Sequence, residues 1–245
     1  MIPVGHREAA SIVHWCRFDQ MEYAAALALQ KERVAAILRR EAGAQEPSLC
    51  PVMQLILLEH PPVYTMGRSG QRREVLHTTW GQQAIPVVET DRGGRVTYHG
   101  PGQLVVYVIC DLRPHALASV RRHVFRLEEV ALRTLAAWGV EAHRDLHHPG
   151  VWVGEAKIGA LGVRIHRGIA YHGLALNRDL DLSPFRGIIP CGLDRPVTSL
   201  ADLGLSVSRD ALERQLLRVF PTVFPVRGFV PPLREGEPPE QEEQC

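Results

Sequence analysis

The alternation of apolar and polar positions along the chain predicts three helices. The helical patterns cover residues 23–40, 119–138 and 208–220. Asp19 followed by Glu22 resembles a capped start for the first helix, with aspartate in place of serine or threonine. Gly43 and Gly139 are predicted to end the first and second helices.

Shorter apolar runs between these helices predict about twice as many strands as helices. The strand patterns cover residues 52–59, 85–89, 104–110, 151–153, 158–165 and 169–176. Short turns at Gly154-Glu155 and at residues 166–168 join neighbouring strands, which favours antiparallel or mixed pairing. The predicted class is therefore α+β, and no internal repeat is visible in the sequence.

The composition is typical of a globular protein. Of 245 residues, 45% are hydrophobic and 22% are charged, which suffices for one large core or two modest ones. We predict a single domain over residues 1–230 and a disordered, acidic tail rich in proline and glutamate over residues 231–245. The tail contains five glutamates and one arginine, with too little apolar surface to offset the entropy of ordering.

The net charge of +1 is unevenly distributed. Because the tail carries −4, the preceding residues carry +5, which suits an acidic protein partner but also an ordinary solvated surface. The arginines are dispersed and only 6% of residues are aromatic, which argues against nucleic-acid binding. No apolar run is long enough to cross a bilayer, and the first residues do not resemble a signal peptide. We expect a monomeric, cytoplasmic protein without a membrane role.

The five cysteines predict free thiols. They are odd in number, scattered and without a Cys-x-x-Cys pair, which argues against a disulfide framework or a structural zinc site. His143, His147 and His148 could form a metal site beside Pro149, but loop histidines are more often solvated. We expect neither a metal nor a cofactor.

Lysine is rare in this chain, and its position is informative. Of 28 basic residues only Lys31 and Lys157 are lysines, and Lys157 lies in an apolar, glycine-bearing segment. Arginine is effectively never deprotonated, whereas burial can lower the pKa of a lysine amine enough for it to exchange protons. Cys191, between Pro190 and Gly192, is the predicted partner, a thiol presented by a loop. The alternative is that Lys157 is a solvated charge beside a turn.

A glycine-rich segment over residues 91–103 is a second candidate site. Four glycines surround Tyr98 and His99 just before an apolar strand, so that backbone can approach a ligand closely. We predict a pocket wall; alternatively, the glycines form tight turns and His99 is a half-buried ring with internal partners. Neither lysine follows the glycine spacing of a phosphate-binding loop, so ATP is not implied.

Four long motifs occur in order along the chain. They are Arg92-Gly-Gly-Arg-Val-Thr-Tyr-His-Gly-Pro-Gly-Gln-Leu-Val105; Pro149-Gly-Val-Trp-Val153 with Lys157-Ile-Gly-Ala-Leu-Gly-Val163; His172-Gly-Leu-Ala-Leu-Asn177; and Pro190-Cys-Gly192 with Val197-Thr-Ser-Leu200. Together they resemble the octanoyltransferase family of lipoate biosynthesis, over about residues 52–200. The resemblance implies an α+β fold like that of biotin protein ligases and lipoate ligases, with a central mixed sheet flanked by helices and a smaller second sheet.

The resemblance also implies an activity and a site. The family transfers an octanoyl group from octanoyl acyl carrier protein to a lysine of lipoyl domains, in 2-oxoacid dehydrogenase E2 subunits and in the glycine-cleavage H protein. The resemblance implies that Cys191 is the nucleophile, that Lys157 is its proton-transfer partner, and that the reaction does not use ATP. The acyl-binding residues that it implies are Arg92, Gly93, Gly94, Arg95, Val96, Thr97, Tyr98, His99, Ala160, Leu161, Gly162, Gly173, Leu174 and Ala175.

The chemistry inferred from Lys157 and Cys191 fits that activity. A Cys191 thiolate would exchange with the donor thioester at little thermodynamic cost, and attack by an amine would then give a more stable amide. Lys157 would favour the thiolate and accept a proton from the incoming amine, whereas arginine could supply only the first effect. An eight-carbon chain needs an apolar slot, and about 0.8 kcal/mol per buried methylene gives a graded preference for length.

Three other functions are considered. An ATP-dependent lipoate ligase would share the sheet and a functional lysine but would not need Cys191. A cysteine thioesterase would pair Cys191 with a histidine, and His99 is the predicted base because all twelve histidines precede the cysteine. A carrier-protein binding module without catalysis would have no need of both Cys191 and Lys157.

Overall fold

A computed structural model describes residues 11–43, 53–113, 119–189, 195–224 and 226–230. The helices within these ranges are α1 (Tyr23–Gly43), α2 (Val120–Ala136) and α3 (Arg209–Val223). The strands are β1 (Ser11–Gln20), β2 (Met53–Glu59), β3 (Val63–Met66), β4 (Thr79–Trp80), β5 (Gln83–Ala84), β6 (Val87–Glu89), β7 (Val96–His99), β8 (Gln103–Asp111), β9 (His143–Arg144), β10 (Val151–Val153), β11 (Ala156–His166), β12 (Ile169–Asn177) and β13 (Val226–Val230).

An eight-stranded mixed sheet forms the centre of the fold, in the order β13-β1-β2-β8-β12-β11-β10-β9. β13, β1 and β2 run parallel, whereas each successive pair from β2 to β9 is antiparallel. β6, β3 and β7 form a smaller sheet, and β4 pairs with β5. The predicted α+β class, with a mixed central sheet and a smaller second sheet, is confirmed.

The two middle strands, β8 and β12, are buried along their whole length. On one face of the sheet, Leu127 of α2 and Leu212 and Phe220 of α3 pack into the same cluster as Val106 and Leu174. On the opposite face, α1 packs over the odd-numbered positions of β8. Because successive side chains of a strand point to opposite faces, strands buried on both sides must be apolar at nearly every position.

The predicted helices and strands are confirmed, but the region before α1 was assigned wrongly. Asp19 does not cap α1, because it lies in β1 and its backbone carbonyl accepts a hydrogen bond from Arg209 Nη1 at 2.6 Å. β1 alternates polar and apolar residues weakly, and its partners β2 and β13 are distant in sequence. Parallel pairing of this kind leaves no local turn signal.

The glycine-rich segment also contains a strand that the sequence did not predict. All four residues of β7 are buried, and β7 pairs antiparallel with β3 in the smaller sheet. The glycines lie on both sides of this strand instead of forming the whole segment. The smaller sheet therefore places β7 opposite the central sheet, where it forms one side of a cleft.

Two cysteines lie in the described ranges, Cys16 and Cys110, and both are free thiols. Burial raises the pKa of the Cys110 thiol to about 12, so that it remains protonated at neutral pH. Cys50, Cys191, Cys245 and the predicted tail lie outside the described residues. None of the described helices is both long and apolar enough to span a bilayer.

Candidate active site

A cleft opens between the central sheet, α1 and the β7 side of the smaller sheet, and encloses about 540 Å³ with its open mouth included. Thirteen of the predicted site residues line it: Arg92, Gly94, Arg95, Val96, Thr97, His99, Lys157, Ala160, Leu161, Gly162, Gly173, Leu174 and Ala175. The middle of the wall formed by β11 and β12 consists of small and apolar residues. The sheet therefore brings the glycine-rich segment and the Lys157 segment, far apart in sequence, to one site.

Two described residues of the predicted site, Gly93 and Tyr98, do not line the cleft. Tyr98 packs into the core of the smaller sheet, with its ring centroid 5.7 Å from that of Tyr64. Gly93 donates its backbone N–H to the carbonyl of Val163 at 2.9 Å, which ties the loop to β11. Cys191 lies in a stretch, residues 190–194, that the structure does not describe.

Four further residues line the cleft and were missed by sequence reasoning: Tyr23, Val105, Tyr107 and His172. Val105 and Tyr107 lie two apart on β8, a spacing that places both on one face. This two-residue spacing is visible in the sequence, but it does not indicate which face of the strand lines the cleft. His172 opens the third sequence motif, and nothing local distinguishes it from a core histidine.

A β-bulge turns Lys157 toward the cleft. The register between β10 and β11 shifts by one residue between the pairs Val151–Gly159 and Trp152–Lys157. Val163, at another odd-numbered position of β11, packs against the α2 and α3 core. Strict alternation would place Lys157 on that same face. An extra residue in one strand reverses the alternation, so that side chains on the two sides of the bulge no longer follow one pattern. The bulge thus places the lysine on the cleft side.

The Lys157 side chain is buried, with only 9% of the residue exposed. Its Nζ donates to the carbonyl of Pro149 at 3.3 Å and lies 4.6 Å from the centroid of the Trp152 ring. Gly150 makes room for it, because a Cβ there would lie 2.9 Å from Lys157 Cε and 3.2 Å from Nζ. Gly150 also has a φ of +151°, which side-chain-bearing residues rarely adopt.

A buried carboxylate approaches the same corner from α2. Gly150 donates its N–H to Glu128 Oε1 at 3.1 Å, and Arg144 Nε lies 3.2 Å from Glu128 Oε2. Burial raises the pKa of Glu128, against smaller lowering effects of the Gly150 N–H, of Arg144 and of the charge on Lys157. Lys157 and Glu128 therefore belong to one electrostatic cluster.

The segments on both sides of residues 190–194 are tied to this region. Lys157 donates its backbone N–H to Pro196 at 2.9 Å, and its carbonyl accepts from Thr198 N at 3.0 Å. On the other side, Ile189 donates its N–H to the carbonyl of Glu74 at 2.8 Å. The Glu74 carboxylate pairs with Arg95, which lines the cleft, so the described residues on both sides of this stretch are linked to the cleft lining.

A buried polar network holds the wall opposite Lys157. Arg92 Nη2 donates to both the carbonyl and the hydroxyl oxygen of Thr65 at 2.7 Å. His99 Nδ1 lies 2.6 Å from Gln103 Oε1, and His99 Nε2 lies 3.2 Å from Thr65 Oγ1. Burial lowers the pKa of His99 well below its usual value, so the ring is neutral, donating to Gln103 and accepting from Thr65. Both nitrogens have protein partners, which does not favour His99 as the base of a thioesterase.

The network continues across the sheet to the Lys157 segment. Gln103 Nε2 donates to Asn177 Oδ1 at 2.8 Å, and Asn177 Nδ2 donates to the carbonyl of Thr198 at 2.9 Å. The N–H of Thr198 in turn bonds to Lys157. Buried networks with their partners satisfied rigidify the groups they join. The two sides of the cleft are therefore held in a fixed relation.

The described residues contain no group of three or more His, Cys, Asp and Glu side chains that could hold a metal ion. His143 lies at the sheet edge in β9, and the rings of His147 and His148 lie 6.5 Å apart. The backbone N–H groups of His147 and His148 bond to Asp145 Oδ1. This segment is organised by hydrogen bonds around Asp145.

Solved lipoate ligases share this fold. The crystal structure of lipoate-protein ligase A bound with ATP superposes with a TM-score of 0.65 at 16% identity, over 91% of this chain and 90% of its own. The bipartite lipoate protein ligase of Thermoplasma acidophilum gives 0.60 at 16% identity, over 91% and 88%. The architecture is thus that of the lipoate ligase class.

Sequence similarity identifies the family more narrowly than the fold does. The family Lipoyl protein ligase A/B catalytic domain matches residues 22–221. An octanoyltransferase of Magnetococcus marinus is 58% identical over 174 residues, covering 71% of this chain and 79% of the relative. One from Paramagnetospirillum magneticum is 44% identical over 219 residues, covering 86% and 97%. The chain belongs to the octanoyltransferase family, which makes it an acyltransferase and confirms the family inferred from its motifs.

Replacing Gly150 by alanine is expected to slow octanoyl transfer by about 10- to 100-fold, because the new Cβ displaces the Lys157 amine. Gly154→Ala is the matched control: Gly154 also has a positive φ, of +54°, but no atom lies within 4 Å of its added Cβ. Initial transfer rates and thermal melting of both variants provide the comparison. Equal loss of activity in the two variants would show that contact with Lys157 is unimportant.

Proposed function

We propose that this protein transfers an octanoyl group from octanoyl acyl carrier protein to a lysine of lipoyl domains, through an acyl thioester on Cys191. The acceptors are E2 subunits of 2-oxoacid dehydrogenases and the glycine-cleavage H protein. The observation that carries the proposal is the buried amine of Lys157 beside a cleft of small and apolar residues, in a chain of the octanoyltransferase family.

Chain connectivity supports Cys191 as the nucleophile. Cys191 comes five residues before Pro196, whose carbonyl bonds to Lys157, so their Cα atoms are at most about 18 Å apart. It comes two residues after Ile189, so it lies within about 7 Å of that residue. The two cysteines in the described ranges are poor candidates, because burial raises the pKa of both Cys16 and Cys110.

The proposed reaction has two balanced steps. The Cys191 sulfur forms a bond to the octanoyl carbonyl carbon while the bond to the phosphopantetheine sulfur breaks, and the carrier protein leaves as its thiol. The amine of the acceptor lysine then attacks the same carbon, the bond to Cys191 breaks, and an amide forms. The amine loses one proton and the cysteine sulfur regains one. No ATP is consumed, because the amide product is more stable than the donor thioester.

Lys157 is suited to move that proton between the two sulfurs and the amine. Its ammonium form favours the Cys191 thiolate before the first step, and its amine form accepts the proton released in the second. The Pro149 carbonyl and the Trp152 ring orient the side chain, and the Glu128 carboxylate lies in the same electrostatic cluster. A guanidinium in the same place would supply the charge but not accept the proton.

Small residues leave the space for an acyl chain. Gly162 lies under the Arg92 loop, where a Cβ would be 3.0 Å from both Arg92 Cδ and the carbonyl of Gly93. Ala160 and Ala175 face each other across β11 and β12. A larger side chain at Ala160 or Ala175 would narrow the slot that the octanoyl methylenes occupy, whereas Gly162 makes room for the Arg92 loop. The walls are apolar there, as burial of a hydrocarbon requires.

Exposed arginines at the rim support an acidic carrier protein as donor. Arg68, Arg72 and Arg73 are all exposed. The Arg68 N–H bonds to the carbonyl of Arg92, which lines the cleft. Arg72 and Arg73 lie in a short 3₁₀ turn that ends at Glu74, and Glu74 pairs with Arg95, which lines the cleft. Positive charge at the entrance accelerates the approach of an acidic partner.

Intact-mass spectrometry after incubation with octanoyl acyl carrier protein, without ATP, tests the proposed function. We expect a mass increase of one octanoyl group that disappears on addition of a lipoyl domain, and no increase in Cys191→Ala. Cys110→Ala is the matched control and should behave like the unaltered protein. A transfer that requires ATP would indicate a ligase, and octanoate released without an acceptor would indicate a thioesterase.

Lys157→Arg is expected to retain part of the adduct formation but to slow discharge to the amine, because the charge remains and the proton acceptor is lost. The two half-reactions are followed separately by mass. Lys31→Arg is the control, since Lys31 is the other lysine and is more than half exposed. The proposed base role of Lys157 would be refuted by equal loss of both half-reactions.

The double variant Arg72→Glu/Arg73→Glu is expected to raise KM for octanoyl acyl carrier protein about tenfold and to leave kcat nearly unchanged, since like charges repel at the rim. KM for octanoyl-pantetheine, which lacks the carrier protein, should not change. Arg214→Glu/Arg218→Glu on α3 is the matched control because both of those residues are exposed as well. The same KM increase for both donors would argue against carrier-protein docking at this rim.

A further inference from the structure

His172 has an unusual backbone conformation for a strand residue. Its φ is +62°, although it lies inside β12 and carries a full side chain. Residues other than glycine pay a steric cost in this left-handed region, and such strain concentrates at functional positions. In the described structure, the other side-chain-bearing residue with positive φ, Arg167, lies in an exposed hairpin turn.

The consequence is a side chain on the opposite face from its strand neighbours. Ala170 and Leu174, two positions away on either side, both pack in the α2 and α3 core. His172 instead stacks on Tyr171 with ring centroids 4.8 Å apart, and its centroid lies 6.1 Å from that of Tyr107. The left-handed turn therefore directs the imidazole onto the α1 side, where it lines the cleft.

Asp91 holds the ring in this orientation. His172 Nε2 lies 2.9 Å from Asp91 Oδ1, and Tyr171 donates its hydroxyl to Asp91 Oδ2. The hydrogen bond from His172 is the largest effect that lowers the pKa of Asp91, so Asp91 is a carboxylate that accepts. Burial lowers the pKa of His172, so the ring is neutral with its proton on Nε2.

The other ring nitrogen is then a buried acceptor. His172 Nδ1 has no hydrogen-bond partner among the described residues, and neither does the neighbouring amide nitrogen, Gln30 Nε2. The two side chains are adjacent because Gln30 Oε1 accepts the backbone N–H of His172 at 2.8 Å. A buried acceptor of the cleft-lining His172 therefore lies near a buried donor of α1, and such atoms need a polar partner that hydrocarbon cannot supply.

His172 and Lys157 lie at opposite ends of the wall formed by β11 and β12. The Gly159–Leu176 pair lies beside Lys157, and four positions farther along is the Val163–His172 pair. Four residues of strand span about 13 Å. An extended octanoyl chain measures about 9 Å, since each carbon–carbon bond of about 1.5 Å advances a zigzag chain by about 1.25 Å. An eight-carbon chain bound at the Lys157 end thus stops just short of His172.

We propose that His172, whose backbone N–H is held by Gln30, forms a polar end wall that limits the length of the acyl chain in this cleft. The inference rests on the proposed function for the direction in which the chain lies. Shorter chains lose contact along the apolar wall, by about fourfold in kcat/KM per methylene. Longer chains press methylenes against the imidazole of His172. Selection is therefore asymmetric, graded below eight carbons and steeper above.

The test is the acyl-chain profile of His172→Gly, which keeps the left-handed backbone without strain and removes the ring. We compare kcat/KM for octanoyl, decanoyl and dodecanoyl acyl carrier proteins. At about fourfold per methylene, the decanoyl-to-octanoyl ratio should rise about 15-fold as two further methylenes find room. Arg167→Gly is the matched control, because it changes the same kind of backbone position in an exposed turn and should leave the ratio unchanged.

An unchanged decanoyl-to-octanoyl ratio in a folded His172→Gly protein would overturn the inference. If that variant does not fold, His172→Asn serves instead, because asparagine tolerates the left-handed region and is shorter. Absence of octanoyl transfer in the unaltered protein would be a failure of the proposed function alone. The affinities of octanoate, decanoate and dodecanoate, measured by calorimetry, would then test the length limit. Tighter binding of the longer acids after removal of the ring would support the limit, and unchanged affinities would refute it.

Discussion

Burial of β8 and β12 on both faces is the constraint on which the rest of the structure depends. Both strands lie in the middle of the central sheet, with α1 on one side and α2 and α3 on the other. Their side chains alternate between two apolar layers, so apart from Tyr107, whose hydroxyl bonds to His60, the polar side chains of the cleft come from irregular strand positions or from other elements. The placement of Lys157 and His172 in the cleft follows from this restriction.

Two local irregularities of the backbone bring polar side chains of the wall into the cleft. The bulge between β10 and β11 turns Lys157 out of the core, and the left-handed backbone at His172 does the same on β12. The first places an amine at one end of an apolar wall, and the second places a neutral imidazole at the other. Both departures cost conformational energy that the surrounding apolar packing must offset. The proposed chemistry and the proposed length limit therefore lie on one wall, separated by small residues.

The smaller sheet and the loop before β7 supply further polar groups. Arg92, Thr65 and His99 bond to one another there, and Gln103 and Asn177 extend the network toward the segment that pairs with the Lys157 backbone. Because each member has a partner, the network is a scaffold rather than a set of free acids and bases. This explains why the glycine-rich segment, predicted as a pocket wall, lines the cleft while its histidine is occupied internally.

The sequence by itself determined the elements with strong local periodicity, the α+β class, the family and most of the cleft residues. The scarcity of lysine singled out Lys157. Gly93 and Tyr98 were predicted to bind the acyl chain, but they do not line the cleft, although the segment that contains them does. Only the tertiary structure decided the pairing of β1, the strand inside the glycine-rich segment, and the faces on which Lys157 and His172 lie. The physical reason is that periodicity records which positions are buried, whereas register, bulges and left-handed turns are set by contacts between residues far apart in the chain. His172 shows this most clearly, because strand alternation read from sequence alone assigns it to the opposite face from the one it occupies.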